Sequence, residues 1–299
     1  MKRKIFDGDF LEKLEAISLA LHNPMSGYFG GGNKAKGYGN TVEFADFREY
    51  VPGDDLRRID WNVYARFEKY FIKLFTDERQ LHNRIYIDCS SSMATGKPEK
   101  AELALKVAAA FGYLTVCNMD RVSFHLLRGD KTEDVCGTIL GKTAFYQQAK
   151  LLEDVDFEGD TLLDRAMFNC PNPGYDDGIS VVISDFLTES DWKAMVDFLV
   201  YRHRNVILVQ ILSPEEIDPA LYGDLNLVDM ESREVDDPRN LRIKMSKKFY
   251  KTYARALADY RKELSDFCTS RGGAFISATS DTSIEEIIFE RGYETEIIQ

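Results

Sequence analysis

Three oxygen-bearing side chains follow a short apolar run in the first third of the chain. Asp88 closes the run 85–87, and Ser90 and Ser92 follow it at alternate positions. Side chains at alternate positions of a tight loop can point at one centre. One carboxylate with two hydroxyls is a set of oxygen ligands that a hard cation such as Mg2+ accepts. The spacing therefore predicts part of a cation site.

Two further positions extend this set. Thr161 follows the polar loop 158–160, and Asp185 comes just after the apolar run 179–183. Ligands of parallel α/β sheets bind at the carboxyl ends of the strands, where both residues would lie. The predicted ligands of a divalent metal, most simply Mg2+, are Asp88, Ser90, Ser92, Thr161 and Asp185. An alternative stays open, in which Asp185 and Thr161 cap the helices that follow them and share no ion.

The elements that must position these residues are read from hydrophobic periodicity. Strands are predicted over 85–87, 121–127, 179–183, 206–212 and 274–276, and helices over 9–21, 98–118, 144–152, 162–168, 191–201 and 246–270. A hairpin of 225–230 with 241–245 would turn at 236–238. Strands that alternate with longer helices predict an α/β fold with a Rossmann-like, doubly wound, mainly parallel sheet. We assign residues 81–299 to this domain and 1–80 to an N-terminal extension packed on it.

Composition limits the class of function. The chain has 299 residues, of which 44% are hydrophobic, and a formal net charge of -12. Such a charge disfavours nucleic acids and anionic lipid as partners. The five cysteines are widely spaced without a C-x-x-C pair, which is typical of a reduced intracellular protein. No run reaches the about 18 apolar residues of a membrane span, so we expect a cytoplasmic protein.

A stretch dense in charged and aromatic residues precedes the first strand of the sheet. Its characteristic residues are Glu43, Phe44, Arg48, Tyr50, Gly53, Asp54, Asp55, Arg58, Asp60, Trp61 and Arg66. We interpret the arginines and aspartates as a salt-bridge network, with Tyr50 and Trp61 packed over it, that holds the segment in place. A docking surface for a partner is the alternative.

This stretch resembles the signature of the DUF58 family. The pattern Asp88-x-Ser90-x-Ser92, with Thr161 and Ser184-Asp185, looks like the metal-ion-dependent adhesion site of von Willebrand factor A domains. The resemblance implies a Rossmann-like fold and a non-enzymatic role as adaptor or chaperone-like partner of a MoxR-type AAA+ ATPase, with other von Willebrand factor A-like proteins as further partners. Many relatives carry transmembrane helices before the signature, and the lack of such a segment here favours the shorter, cytoplasmic kind.

Two classes of function fit the predicted site. In a metal-dependent binding module, neutral hydroxyl ligands leave the ion electropositive, and a partner carboxylate completes its coordination. In a phosphatase-like hydrolase, Asp88 would act as nucleophile or metal ligand. That chemistry needs a further acid or base, or a carboxylate-rich cage, and no Asp-x-Asp occurs at this strand end. A scaffold with a vacant metal site is a third possibility. The predicted function is the binding module.

Overall fold

The computed structural model describes residues 5–21, 38–76, 80–174, 177–219, 223–227, 241–245 and 247–291. The chain forms two compact units. The larger unit consists of residues 1–29 and 81–299, and the smaller unit consists of residues 30–80. The predicted extension 1–80 is therefore split, because the apolar side chains of Phe10, Leu14 and Ile17 belong to the core of the larger unit. The packing of the remainder on the main domain stays a prediction.

The helices and strands follow one another in an alternating order. In chain order they are α1 (Gly8–Leu21), β1 (Tyr38–Glu49), α2 (Trp61–Phe67), β2 (Phe71–Thr76), β3 (His82–Asp88), α3 (Lys100–Cys117), β4 (Arg121–Arg128), β5 (Lys131–Asp134), β6 (Ile139–Leu140), α4 (Lys142–Gln148), α5 (Leu163–Phe168), β7 (Gly178–Ser184), α6 (Trp192–Tyr201), β8 (Arg204–Leu212), α7 (Pro214–Ile217), β9 (Gly223–Leu227), β10 (Leu241–Met245), α8 (Lys247–Ser270) and β11 (Ala274–Thr279).

The larger unit is built on one sheet in the order β11-β8-β7-β3-β4-β5, with β6 beside β4. The neighbours from β11 to β4 pair in parallel, and only β5 and β6 run antiparallel to β4. One core packs α1, α3 and α4 against the sheet, and a second core packs α5, α6 and α8. Helices thus cover the sheet on two sides, and the predicted α/β, doubly wound, mainly parallel fold is confirmed.

The topology explains where a ligand would bind. From β3 the chain crosses through α3 to β4 on one side, and it later returns to β7 on the other side of β3. The strand order therefore reverses at β3, and sheets of this kind bind ligands at the carboxyl ends of the strands beside such a reversal, here β3 and β7. Asp88 is the last residue of β3, and Asp185 directly follows β7.

Several predicted boundaries shift. Helix α3 begins at Lys100 rather than at residue 98. The helix predicted over 144–152 is divided into α4 and a 3-10 helix over Ala149–Asp154. The predicted hairpin pairs β9 with β10, and its turn at 236–238 lies outside the described residues. The α8 helix matches the long helix predicted over 246–270. In the part of the chain that the structure describes, no helix combines the length and the apolar character that a membrane crossing requires.

Candidate metal centre

Asp88 is a buried carboxylate whose hydrogen bonds come from neutral groups. Its Oδ1 accepts from the Ser90 backbone N–H at 3.0 Å, and its Oδ2 accepts from Ser184 Oγ at 2.6 Å. Burial raises the pKa of Asp88 to about 6, and the negative charge of Asp185 adds to the rise. Hydrogen bonds from Ser184, Ser90 and Thr161 oppose it only in part. A bound cation would therefore stabilise the ionised form of this side chain.

The loop after β3 carries two hydroxyls that form a chain of contacts ending at Asp185. Ser90 Oγ lies 3.1 Å from Ser92 Oγ, and Ser92 Oγ donates to Asp185 Oδ2 at 2.8 Å. Ser90 is buried, whereas Ser92 is partly exposed. Four of the five predicted ligands therefore lie in one cluster, and its accessible side is the side of Ser92.

Thr161 reaches the same cluster because its loop runs alongside the loop of Asp88. The Ser91 N–H donates to the Gly159 carbonyl at 2.8 Å, and the Glu158 N–H donates to the Cys89 carbonyl at 2.9 Å. Thr161 is buried, its hydroxyl donates to the Leu127 carbonyl at 3.3 Å, and it lies close enough to Asp88 to lower the pKa of that carboxyl. All five predicted positions thus meet at the carboxyl ends of β3 and β7.

The alternative in which Asp185 and Thr161 act as helix caps does not describe this structure. Asp191 caps α6, since its Oδ1 accepts from the Ala194 N–H at 3.0 Å. The first N–H of α5, that of Leu163, donates to Ser190 Oγ at 3.0 Å. Other residues therefore satisfy both helix ends, and the side chains of Asp185 and Thr161 are directed at the strand ends instead.

A buried lysine lies beside the cluster. Lys100, the first residue of α3, is 0% exposed, and its Nζ donates to Asp185 Oδ2 and to Glu216 Oε1, both at 2.7 Å. Burial alone would lower the pKa of Lys100, but the carboxylates of Asp185 and Glu216 outweigh that effect and raise it. Lys100 is therefore a charged ammonium. Asp185 Oδ1 accepts from the Leu187 N–H at 3.0 Å, so both of its oxygens have partners.

The sequence prediction missed Lys100 and Glu216, and it named Ser184 without giving it a role. A lysine next to a proline and a glutamate is typical of an exposed first helical turn, and nothing in its neighbours signals burial. Ser184 was recognisable by its position as the last residue of a buried strand. Glu216 lies in a capping box with Ser213, a pattern that predicts a helix start and conceals a second role.

The donor set fits a hard divalent cation. It consists of two buried carboxylates, Asp88 and Asp185, with the hydroxyls of Ser90, Ser92 and Thr161, and Asp185 accepts from Ser92. Oxygen ligands of this kind suit Mg2+ or Mn2+. Among the described residues, no group of three or more His, Cys, Asp or Glu side chains could hold a metal. A cation bound here would therefore be held largely by hydroxyls and water.

The signature residues belong to the smaller unit, where β1 pairs antiparallel with β2. Glu43 and Phe44 lie opposite Thr76 and Phe75 in this ladder, and their side chains are outside the described part, as is that of Arg58. Gly53 adopts a φ of 112°, a conformation that favours glycine, in the turn that follows β1.

The acidic residues of the signature mostly hold local structure. Asp54 accepts from the Val51 N–H and from Arg48 Nη2, both at 2.9 Å, and these two bonds lower its pKa. Asp55 accepts from the Arg57 N–H at the start of a 3-10 helix. Asp60 is the N-cap of α2. These contacts support the structural interpretation of the signature.

The aromatic and basic residues of the signature differ in exposure. Tyr50 packs edge-on against Tyr70, with ring centroids 6.3 Å apart, and Tyr70 stacks on Tyr64 at 4.6 Å. Trp61 is 60% exposed, and Arg66 is exposed as well. The expectation that Trp61 packs over a salt-bridge network is therefore wrong, because its ring meets Tyr64 edge-on at the surface of this unit.

Comparison with known proteins gives a family and distant structural likenesses. Residues 46–263 match DUF58, described as a protein of unknown function. Uncharacterized proteins of Mycobacterium tuberculosis and Mycobacterium bovis are each 26% identical over 94% of this chain and 88% of their own. The conserved hypothetical protein BatB from Bacteroides thetaiotaomicron is 12% identical, with a TM-score of 0.44 over 72% of this chain and 98% of that one. The SpRpn10 VWA domain is 8% identical, with a TM-score of 0.41 over 74% of this chain and 98% of that domain.

Proposed function

The chain belongs to the DUF58 family, and we propose that it is a non-enzymatic protein-binding module that holds its partner through a divalent cation, most simply Mg2+. The observation that carries the proposal is one cluster at the carboxyl ends of β3 and β7. The buried Asp88 carboxylate accepts there from the Ser90 N–H, the Ser90 and Ser92 hydroxyls contact each other, and Thr161 lies near Asp88. Asp88, Ser90, Ser92 and Thr161 would hold the cation, and Asp185 would orient Ser92.

The ligand chemistry favours binding of an acidic group. Hydroxyl ligands add no charge, so a divalent cation bound beside Asp88 keeps a net positive charge, and Mg2+ usually retains exchangeable waters. When bound, the cation supplies an electrophilic position that a carboxylate of the partner can occupy. The whole chain carries a formal net charge of -12 and would otherwise repel such a group. The cation therefore makes attraction of an acidic partner both local and specific.

The proposed partner is a MoxR-type AAA+ ATPase in the cytoplasm, with other von Willebrand factor A-like proteins as further partners. Support for this choice comes from the resemblance of the segment 43–66 to the DUF58 signature. The surface that would meet the ATPase includes the accessible side of the site at Ser92.

A phosphatase-like hydrolase is the second candidate. The observation that favours it is the raised pKa of Asp88, about 6, because carboxylates with raised pKa values serve as acids or bases in hydrolases. Turnover of p-nitrophenyl phosphate with Mg2+, abolished in Asp88→Asn, would support this candidate. We expect no turnover above that of Asp88→Asn.

Removal of the two loop hydroxyls tests the binding function. We expect the double variant Ser90→Ala, Ser92→Ala to bind the cognate MoxR-type ATPase at least about tenfold more weakly than the wild type in Mg2+, because two oxygen ligands of the cation are lost. In EDTA the two proteins should bind equally weakly. Isothermal titration calorimetry with the purified proteins measures the affinity in Mg2+ and in EDTA.

Ser91→Ala is the matched control, since Ser91 lies in the same loop and its backbone, not its hydroxyl, holds the neighbouring loop. It should bind the ATPase as the wild type does. Equal affinity of wild type and double variant in Mg2+, or affinity of the wild type that EDTA does not change, would contradict the cation-bridged interface.

A further inference from the structure

We propose that the Lys100 ammonium limits the affinity of the site for divalent cations. It does so by placing a fixed positive charge against the Asp185 carboxylate. The inference rests on the proposed function, since it concerns the same cation. It predicts that loss of the lysine charge tightens cation binding. Loss of the second carboxylate that shares this lysine weakens cation binding.

The geometry places the ammonium at the edge of the ligand set. Lys100 Nζ and Ser92 Oγ donate to the same oxygen, Asp185 Oδ2, at 2.7 Å and 2.8 Å. The lysine side chain is fully buried, so water does not screen its charge effectively. A divalent cation bound through Ser92 would therefore lie near a fixed like charge, and the repulsion between them lowers its affinity.

The position of Lys100 does not depend on Asp185 alone. Its Nζ also donates to Glu216 Oε1 at 2.7 Å. Glu216 is itself fixed, since its Oε2 accepts from the Ser213 N–H at 2.6 Å and its carbonyl accepts from Tyr253 Oη of α8 at 2.5 Å. The ammonium is thus shared between one carboxylate of the site and one carboxylate held by α7 and α8. The negative charge of Glu216 therefore partly offsets the effect of the Lys100 ammonium at Asp185.

This sharing gives two variants with opposite expected effects. Lys100→Gln removes the positive charge, retains a hydrogen-bond donor and frees Asp185 to interact with the cation. Glu216→Gln leaves Lys100 with Asp185 as its only remaining carboxylate among these partners. A purely structural role of the Lys100 pairs would weaken cation binding in both variants, because both disturb the same buried contacts. The sign of the two changes therefore separates an electrostatic role from a structural one.

Titration of the purified full-length chain with Mn2+, with the free ion followed by electron paramagnetic resonance, measures the effect. We expect the Kd for Mn2+ to fall about tenfold or more in Lys100→Gln and to rise severalfold in Glu216→Gln. The Asp88→Asn variant defines binding outside the site. If Lys100→Gln is unfolded without metal, Mn2+ should restore its circular dichroism and raise its Tm by more than it raises that of the wild type.

The outcomes are distinguishable. Mn2+ binding by the wild type that depends on Asp88, combined with an unchanged or weaker affinity in Lys100→Gln, overturns this inference and leaves the proposed function standing. A Lys100→Gln protein that Mn2+ fails to refold or stabilise overturns it too. Absence of Asp88-dependent Mn2+ binding in the wild type and in both variants overturns the proposed function together with this inference.

Discussion

We expect replacement of Asp88 with asparagine to abolish the proposed cation binding at the strand ends and to leave the fold intact. We expect the affinity for Mn2+ to fall at least about a hundredfold, because the buried Asp88 carboxylate is a proposed ligand and its charge attracts the ion. The amide has nearly the same shape, and its oxygen can still accept the hydrogen bond from the Ser90 N–H. Mn2+ titration of wild type and variant measures the loss.

The same variant should be more stable than the wild type when no cation is present. The pKa of Asp88 in the folded protein, about 6, lies above its ordinary value of 3.8. Its contribution to stability is therefore full below pH 3.8 and is lost as the pH rises through 6. We expect the free energy of unfolding of Asp88→Asn in EDTA to exceed that of the wild type by about 3 kcal/mol at pH 7.5 and nearly to match it at pH 4.

Urea unfolding at both pH values tests this expectation, and Asp160→Asn, a change of an exposed carboxylate in the neighbouring loop, is the control. A wild type that is more stable than Asp88→Asn at pH 7.5 in EDTA would show that another group already compensates the Asp88 charge. If Asp88→Asn retained the Mn2+ affinity of the wild type, Asp88 would not be a ligand of the cation.

Removal of the second carboxylate, Asp185, should lower the free energy of unfolding, whereas removal of the Asp88 charge should raise it. Asp185→Ala removes one of two partners of the buried Lys100 ammonium and the acceptor of Ser92 Oγ. A buried charge that loses its partner costs about 3–5 kcal/mol. Because Glu216 remains and its side chain is 27% exposed, we expect a loss near the low end, about 3 kcal/mol, in the free energy of unfolding.

Glu189→Ala provides the matched control for Asp185→Ala, since Glu189 is an exposed carboxylate of the same loop. It should change the free energy of unfolding by less than about 0.5 kcal/mol. Urea unfolding at pH 7.5 in EDTA measures the free energy of unfolding of both variants. A loss below about 1 kcal/mol in Asp185→Ala would mean that Glu216 alone satisfies Lys100, and the buried ion pair would then have a smaller role than the structure indicates.

The two carboxylates show how far the sequence leads. The apolar runs before Asp88 and Asp185 are short and continuous, as expected of central parallel strands, so the strand ends and the residues that follow them were predictable. The order of the sheet places both residues at the same edge. The distinct environments of the two residues were not predictable, because Asp88 meets neutral donors and Asp185 meets an ammonium from a residue 85 positions away.

The missed strands have a similar explanation. β5, with the sequence Lys-Thr-Glu-Asp, lies at the edge of the sheet and has no buried residue, so hydrophobic alternation does not mark it. β1 contains acidic and aromatic residues at irregular spacing, and its ladder with β2 shifts register twice, which hides the period of two on which strand prediction depends. In both cases pairing with a neighbouring strand, rather than a local pattern, determines the structure.

Crystals of the protein soaked in Mn2+ test the central claim most directly. The proposed function predicts an anomalous difference peak about 2.1–2.3 Å from oxygens of Asp88, Ser90 and Ser92, with at least one water ligand on the accessible side of Ser92. Asp88→Asn crystals treated in the same way should lack the peak. A wild-type map without density between Asp88 and Ser92, or with Mn2+ only at other carboxylates, would contradict the assignment of this strand-end cluster as a cation-dependent binding site.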